Sequence, residues 1–507
     1  MRTADPDGHL RVDRLIHDIR RRSMRGGVIS FGAQAVKVLA QGGAVVVLAR
    51  LLPPEAFGLI AMISALSLVL DLIKELGLSA ATIQKPDITH GQVTALFWIN
   101  TAIGAAITLL LVLAAPAIAD FYMQPALRDI TRWLALGFLL SGVTTQHWAL
   151  LRRQMRFGTI AALETSAEIL GFAVSVAAVL LGAGYWALVA QRLTGPTLIL
   201  IGSWSLCRWR PGRPAREAGL GGILAFGAAV TGCNLAMALA RSIDQILIGW
   251  LWGPSVLGLY ERSAKLLQTP VNNISMPLYA VAMPALSRIS DQNRRYRAAF
   301  GEILSTRAML TRPAGAVIAM TADWIVAILF GPQWHAAAPL AAFFGVAMTY
   351  QPLLAAIGLV YLTQDRSREL LRAATLDSTL SILLILAGLP FGVLGVAAAS
   401  ALGGLALRAP LALCLASRTG TVGHGELYSA ILPSAAAALA VTGGVWVLRR
   451  MEFLSVMPPA GRLAVAFTAA AAIAIVTLAA LPQSRAALIT LARIPRLFGT
   501  SKPEIQT

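Results

Sequence analysis

The feature that most constrains this chain is its series of apolar blocks, many of them 18 or more residues long with few charges. A block of that length crosses a hydrocarbon core about 30 Å thick as a helix. Lipid offers backbone N–H and C=O groups no partners, so a spanning segment must be a helix or part of a closed barrel. The short alternating strands of a barrel are absent, which leaves helices. Charged residues make up 13% of the 507 residues, where a soluble chain carries about 25%. Length alone would suggest several soluble domains, but the block pattern gives one membrane domain instead.

The blocks predict about fourteen spans, at 28–50, 58–80, 93–119, 132–151, 158–182, 185–206, 220–250, 258–287, 308–330, 338–361, 373–390, 393–416, 428–448 and 462–481. Loop charges orient them. Arg152, Arg153 and Arg156 share one side with Arg208, Arg210, Arg213 and Arg216. Arg288, Arg294, Arg295 and Arg297, and Arg366, Arg368 and Arg372, fall on that side too. The other side holds Arg50, Arg128, Arg262, Arg449 and Arg450, a bias of roughly threefold that places both termini in the cytoplasm. The net charge of +18 is read as those basic loops, with no nucleic acid as partner.

Residues 1–27 form a basic tail without the apolar core and cleavage site of a signal peptide. Val12, Leu15, Ile16 and Ile19 fall at helical spacing among arginines, which predicts a short helix lying on anionic lipid; a solvated tail is the alternative. Cys207, Cys233 and Cys414 are far apart, so neither a disulfide framework nor a metal site is expected. His147 beside Gln146 reads as a polar packing residue rather than a metal ligand.

An internal repeat appears at an offset of 200 residues. Leu51 meets Leu251, Pro54 meets Pro254, Gly58 meets Gly258, Leu59 meets Leu259 and Leu66 meets Leu266. Phe31-Gly32 and Phe226-Gly227 extend it after a slip of five residues. Six spans separate the copies, so they share an orientation, as in the parallel repeats of some transporters. The expected fold is an all-α polytopic membrane protein: two six-helix lobes in a parallel pseudo-two-fold repeat, plus two extra C-terminal helices. The lobes are 28–206 and 220–416, joined by a linker at 207–219; helices 13 and 14 occupy 417–481, and a cytoplasmic tail follows at 482–507.

Several stretches resemble a known family: Leu48-Ala-Arg-Leu-Leu-Pro-Pro-Glu-Ala-Phe-Gly-Leu-Ile60, Glu75-Leu-Gly-Leu-Ser79, Phe121-Tyr122 and Ala149-Leu-Leu-Arg-Arg-Gln-Met-Arg-Phe157. Gly184-Tyr-Trp-Ala-Leu-Val-Ala-Gln191, Asp244-Gln-Ile-Leu-Ile-Gly249, Leu257-Gly-Leu-Tyr260 and Leu329-Phe-Gly-Pro-Gln-Trp334 continue it. Together they are similar to the polysaccharide transporter family of the multidrug/oligosaccharidyl-lipid/polysaccharide flippase superfamily, in its colanic-acid, succinoglycan and teichuronic-acid exporter branch. The resemblance runs from about 28 to about 345. It implies a V-shaped pair of six-helix lobes and an undecaprenyl-pyrophosphate-linked oligosaccharide as substrate, flipped to the periplasmic leaflet of the inner membrane. A polysaccharide polymerase and a chain-length regulator would be partners alongside membrane lipids. Arg192 departs from the family, which commonly has neutral residues after this Trp-Ala-Leu-Val stretch.

Charges inside spans are costly, about 2.5–3.5 kcal/mol each on insertion scales, and mark wet cavities or ion pairs. Lys37, Arg192, Arg241 and Lys265 are expected to line a cavity between the lobes and neutralise a pyrophosphate. The alternatives are that Arg241 only pairs with Asp244 and that Lys37 snorkels. Glu164 and Glu168, one turn apart, are ion-coupling candidates, with Asp71, Glu75 and Asp244 as others. Alternatively Glu164 pairs with Arg152 or Arg153, and Lys74 neutralises Asp71 and Glu75. Pro270, Pro277 and Pro284 recur every seven residues and predict a bent gating helix.

No GxxxxGK[ST], HExxH or GxSxG motif occurs, so no cofactor and no enzymatic activity are expected. A multidrug cation antiporter of related architecture is one competing reading. A polysaccharide polymerase or ligase is another, opposed by the short outside loops.

Overall fold

The computed structural model describes residues 19–75, 79, 82–83, 85, 88–213, 242–268, 282–419 and 421–482. Among them there is helix and no strand. The chain clusters into two compact units, Met1–Gly258 and Leu259–Thr507.

In the first unit the helices are α1 (Ile19–Leu51), α2 (Pro54–Glu75), α3 (His90–Phe121), α4 (Ala126–Arg153), α5 (Phe157–Leu180) and α6 (Trp186–Leu206). A further run, α7 (242–268), begins in this unit. α1 starts nine residues before the predicted 28, so the end of the basic tail is helical; the predicted surface helix otherwise lies outside the described residues. The breaks have chemical causes. Pro53 cannot continue α1, and Pro54 opens α2, where its missing N–H costs nothing. Gly253 adopts φ +77° inside α7, and Pro254 follows it, so the run turns at the repeat-related place. α3 is set by a capping box: the Gln92 N–H donates to Thr89 Oγ1 at 3.1 Å, and the Thr89 N–H donates to Gln92 Oε1 at 3.5 Å. α3 packs on α4, α5 on α6, and α1 on α5.

The two copies of the repeat meet one another. A methyl added at Gly58 would lie 1.7 Å from the Pro254 carbonyl oxygen, and one at Gly258 would lie 1.9 Å from the Pro54 carbonyl oxygen. Two helices crossing this closely leave room for hydrogen only. The partners are exchanged between the copies, as a local two-fold relation requires.

The second unit carries α8 (Asn293–Leu329), α9 (Ala338–Met348), α10 (Gln351–Thr363), α11 (Ser367–Gly388), α12 (Gly392–Gly403), α13 (Ala409–Thr419), α14 (His424–Leu448), α15 (Glu452–Val456) and α16 (Pro459–Ala480). α8 starts 15 residues before the predicted span, so Arg294, Arg295 and Arg297 sit on its first turns rather than in a loop. It bends at Thr321, where φ is −121°. The single span expected at 338–361 is two helices, because Pro352 near the start of α10 has no N–H to continue α9. A π-helical turn, Gly404–Arg408, joins α12 to α13. The last two long helices pack on α8: Ala316 and Val317 from α8, Val441 and Val445 from α14, and Ala466, Ala470 and Ala474 from α16 form one buried cluster.

Nine helical stretches among the described residues are long and apolar enough to cross a membrane. One covers 332–363 and another 367–418, and the latter contains two of the predicted spans. Exposed Leu109, Leu110, Leu113, Leu180, Leu181, Leu439, Ile475 and Val476 lie on these helices or just past their ends, where lipid rather than water suits them.

Candidate functional site

The charges that the sequence places in spans are mostly paired within their own unit. Lys37 Nζ on α1 lies 3.2 Å from Glu164 Oε2 on α5, with both side chains about one-quarter to one-third exposed. This corrects the pairing of Glu164 with Arg152 or Arg153, and it ties a proposed substrate contact to a proposed coupling residue. Glu168, one turn along α5, is half-buried. Asp71 and Lys74 pair at 2.8 Å on α2, and the Lys74 ammonium also lies 5.7 Å from the centre of the Phe138 ring. The Glu75 side chain lies outside the described residues. Arg192 is exposed on α6. The Asp244 carboxylate accepts the Gln245 N–H at 2.8 Å; its expected partner Arg241 lies outside the described residues, as do Pro270 and Pro277. Pro284 is described, exposed in the helical stretch 282–287.

Lys265 is paired with Glu261, one helical turn earlier on α7, and Arg262 Nε lies 3.5 Å from the same carboxylate. Glu261 is only 5% exposed. In the sequence it follows the Leu257-Gly-Leu-Tyr260 stretch and stands beside Arg262, and nothing in residue type or spacing reveals its burial. Its burial between two cations makes it as strong a candidate as the acids of the first unit.

The Ala149–Phe157 stretch has a structural reason that charge counting missed. Arg153 is buried, and its Nη1 donates to the carbonyls of Thr82, Ile83 and Lys85 at 3.1, 3.5 and 2.7 Å. One guanidinium thus holds the segment entering α3. His147 is buried, stacked on Trp204 with ring centroids 4.4 Å apart, and edge-on to Phe97 and Trp209. It is a packing residue in an aromatic cluster. Trp209 Nε1 in turn donates to His90 Nδ1 at 3.1 Å. Burial pushes the neighbouring Cys207 thiol up, which leaves it protonated and inert.

In the second unit Arg408 grips Asp377 through two bonds of 2.8 Å, at the end of the π-helical turn. Arg449 makes the same bidentate contact with Asp323 at 2.8 Å, and also donates to the Met320 carbonyl beside the bend in α8. Its guanidinium lies 4.8 Å from the centre of the Trp324 ring. Such planar, two-bond pairs fix the geometry of both partners as well as joining their charges. No group of three or more His, Cys, Asp or Glu side chains able to hold a metal occurs among the described residues.

The chain is 27% identical over 298 residues to the teichuronic acid biosynthesis protein TuaB of Bacillus subtilis (strain 168), covering 58% of this chain and 62% of that protein. It is 25% identical over 300 residues to the lipopolysaccharide biosynthesis protein WzxC of Escherichia coli (strain K12), covering 58% and 60%. The chain therefore matches about three fifths of the length of these relatives. Among solved structures, it is similar to the lipid II flippase MurJ in an inward closed conformation, with a TM-score of 0.69 at 12% identity over 90% of this chain and 98% of that one. An inward-facing multidrug transporter of the MATE family gives a TM-score of 0.59 at 12% identity, over 77% and 97%. At these identities the likeness is one of fold, and the fold is that of a multi-pass membrane protein. The match of residues 47–339 to the model described as "Polysaccharide biosynthesis protein" shows that the chain belongs to that family.

Proposed function

We propose that this protein is a flippase that moves undecaprenyl-pyrophosphate-linked oligosaccharide repeat units from the cytoplasmic to the periplasmic leaflet of the inner membrane by alternating access. The product would serve exopolysaccharide, capsule or lipopolysaccharide synthesis. The family match over 47–339 carries this reading. A fold similar to that of a lipid II flippase supports it. The organisation proposed is two six-helix lobes, 28–206 and 220–416, with 417–481 appended and both termini in the cytoplasm.

Lys37, Arg192, Arg241 and Lys265 are the proposed contacts to the diphosphate. Its oxygens need charge-assisted partners when they leave water. Lys37 and Lys265 already hold carboxylates, Glu164 and Glu261. A diphosphate would therefore compete with an internal anion rather than meet a bare cation. Asp71, Glu75, Glu164, Glu168 and Asp244 are the proposed coupling groups, and Pro270, Pro277 and Pro284 the proposed bend. With the cell interior negative, each anionic charge carried outward gains about 2.3 kcal/mol per 100 mV.

Depletion of the protein in its host tests this reading. Lipid-linked oligosaccharide should accumulate with its sugar accessible only from the cytoplasm, while surface polymer falls. An unchanged pool with normal polymer would reject the proposal. The likeness to a multidrug transporter favours one second reading, cation export, which predicts no change in that pool and a greater sensitivity to cationic dyes.

A further inference from the structure

The Ala149–Phe157 stretch has a second half that the Arg153 contacts do not use. Gln154 and Arg156 from it, with Ser205 and Leu206 from the end of α6 and Arg208 just beyond, line a cavity of about 420 Å³ that is open to the surface. That volume suits a small ligand group. Among the described residues the lining holds two guanidinium groups and no carboxylate. α4 ends at Arg153, α5 runs away from that level to Leu180, and α6 returns to finish at Leu206. α4 and α5 are each long and apolar enough to cross a membrane. The cavity therefore lies at the ends of two helices long and apolar enough to span, the level at which headgroups surround a spanning helix.

Its walls are set by contacts inside the protein. Arg156 Nη1 donates to the Leu206 carbonyl at 2.8 Å and ties one wall to the other. A guanidinium has five N–H groups, so four are left without a partner among the described residues. Beyond Leu206 the chain is pinned by Cys207 and Trp209, which are 1% and 2% exposed. Arg210 donates to the Cys207 and Trp209 carbonyls at 2.8 and 2.9 Å, which commits it to the backbone. Arg208 is exposed and has no hydrogen bond or ion pair among the described residues. Ser205 Oγ donates to the Ile201 carbonyl at 2.7 Å, so the charged donors for an anion are the two arginines. α5 begins at the cavity with Arg156 as its N-cap residue, whose own side chain makes no capping bond to the first amides. Those amides and the helix dipole add further positive potential.

We infer that this cavity binds the phosphate of an anionic, phosphate-headed lipid. Two lipids of the same membrane carry that chemistry, a glycerophospholipid and a polyprenyl diphosphate, and the experiment separates them. The inference stands whether or not the protein is a flippase, because it rests on the cavity and its two arginines alone.

The full chain is purified in detergent, stripped of lipid and titrated with phosphatidylglycerol, undecaprenyl diphosphate and phosphatidylcholine, with bound lipid counted by native mass spectrometry. Wild type should retain one of the two anionic lipids at least about tenfold more tightly than phosphatidylcholine. Removal of one cation near a surface costs about fivefold in affinity. Arg208→Gln should show that loss and Arg208→Glu a larger one, whereas Arg372→Gln, at an exposed arginine of the second unit, should show none. Arg208 makes no described contact that folding needs, so these variants test binding rather than stability. Preference for phosphatidylglycerol would assign the site to bilayer lipid, and preference for the diphosphate to a first contact with a polyprenyl carrier. Binding of Arg208→Glu within twofold of wild type, or an equal loss in Arg372→Gln, overturns the assignment.

Discussion

Alanine at Gly58 would place a methyl carbon 1.7 Å from the carbonyl oxygen of Pro254. Carbon and carbonyl oxygen rest no closer than about 3.3 Å even in weak C–H···O contacts. The two helices must therefore part by about 1.5 Å at their crossing, because the obstructing atom is backbone and cannot swing aside. Overpacking a tight contact costs about 1–3 kcal/mol, and a backbone obstruction belongs at the upper end. Alanine returns about 1 kcal/mol of helix propensity. The net expectation is a loss of about 2 kcal/mol for Gly58→Ala, and a similar loss for Gly258→Ala, where the methyl would lie 1.9 Å from the Pro54 carbonyl oxygen. Gly137→Ala is the control, since nothing lies within 4 Å of its added methyl. The assay is thermal unfolding of the purified protein in detergent, followed by tryptophan fluorescence. The two crossing variants should melt several degrees below wild type, and the control at or above it. The double variant should cost less than the sum, since helices parted by one methyl have room for the other. If Gly58→Ala melts with wild type, or the two losses simply add, the reciprocal crossing is wrong.

Other changes test the contacts one at a time. Arg153→Ala leaves the carbonyls of Thr82, Ile83 and Lys85 without their shared donor; a loss of about 2–4 kcal/mol is expected, read as a lower melting temperature and poor yield in detergent. Glu164→Lys and Lys37→Glu each put like charges face to face where the native pair lies 3.2 Å apart, and the double exchange should recover most of the stability, with a coupling of about 1 kcal/mol for a pair this exposed. Asp323→Asn should loosen the bidentate grip of Arg449 beside the bend in α8, and faster hydrogen exchange around Thr321 would report it.

The spans were legible because each is a local, one-dimensional pattern, and helices observed at Phe157–Leu180, His424–Leu448 and Pro459–Ala480 fall within a few residues of the predicted ranges. The breaks at Pro54 and Gly253 were legible for the same reason, since proline and glycine act where they stand. Hydropathy misplaced the start of α8 because a helix does not end where the bilayer does; Arg294, Arg295 and Arg297 extend it into water. What the sequence could not show is which charges meet. Lys37 and Glu164 are 127 residues apart, and Arg408 and Asp377 are 31 apart. No spacing rule connects them. Arg153 was counted with its basic neighbours, yet its guanidinium is spent on backbone carbonyls, and only the path of the 82–85 segment reveals that. Glu261 escaped notice because burial, not residue type, sets it apart.

Reconstitution can show directly whether the protein moves a lipid-linked sugar between leaflets. The purified chain is placed in liposomes carrying a fluorescent oligosaccharide on a polyprenyl diphosphate, and a membrane-impermeant quencher reports how much label reaches the outer leaflet. A flippase should give transfer that depends on the protein and speeds up when the potential drives anions in that direction. Label that stays on its original leaflet, in vesicles where the same protein moves a cationic dye, would contradict it.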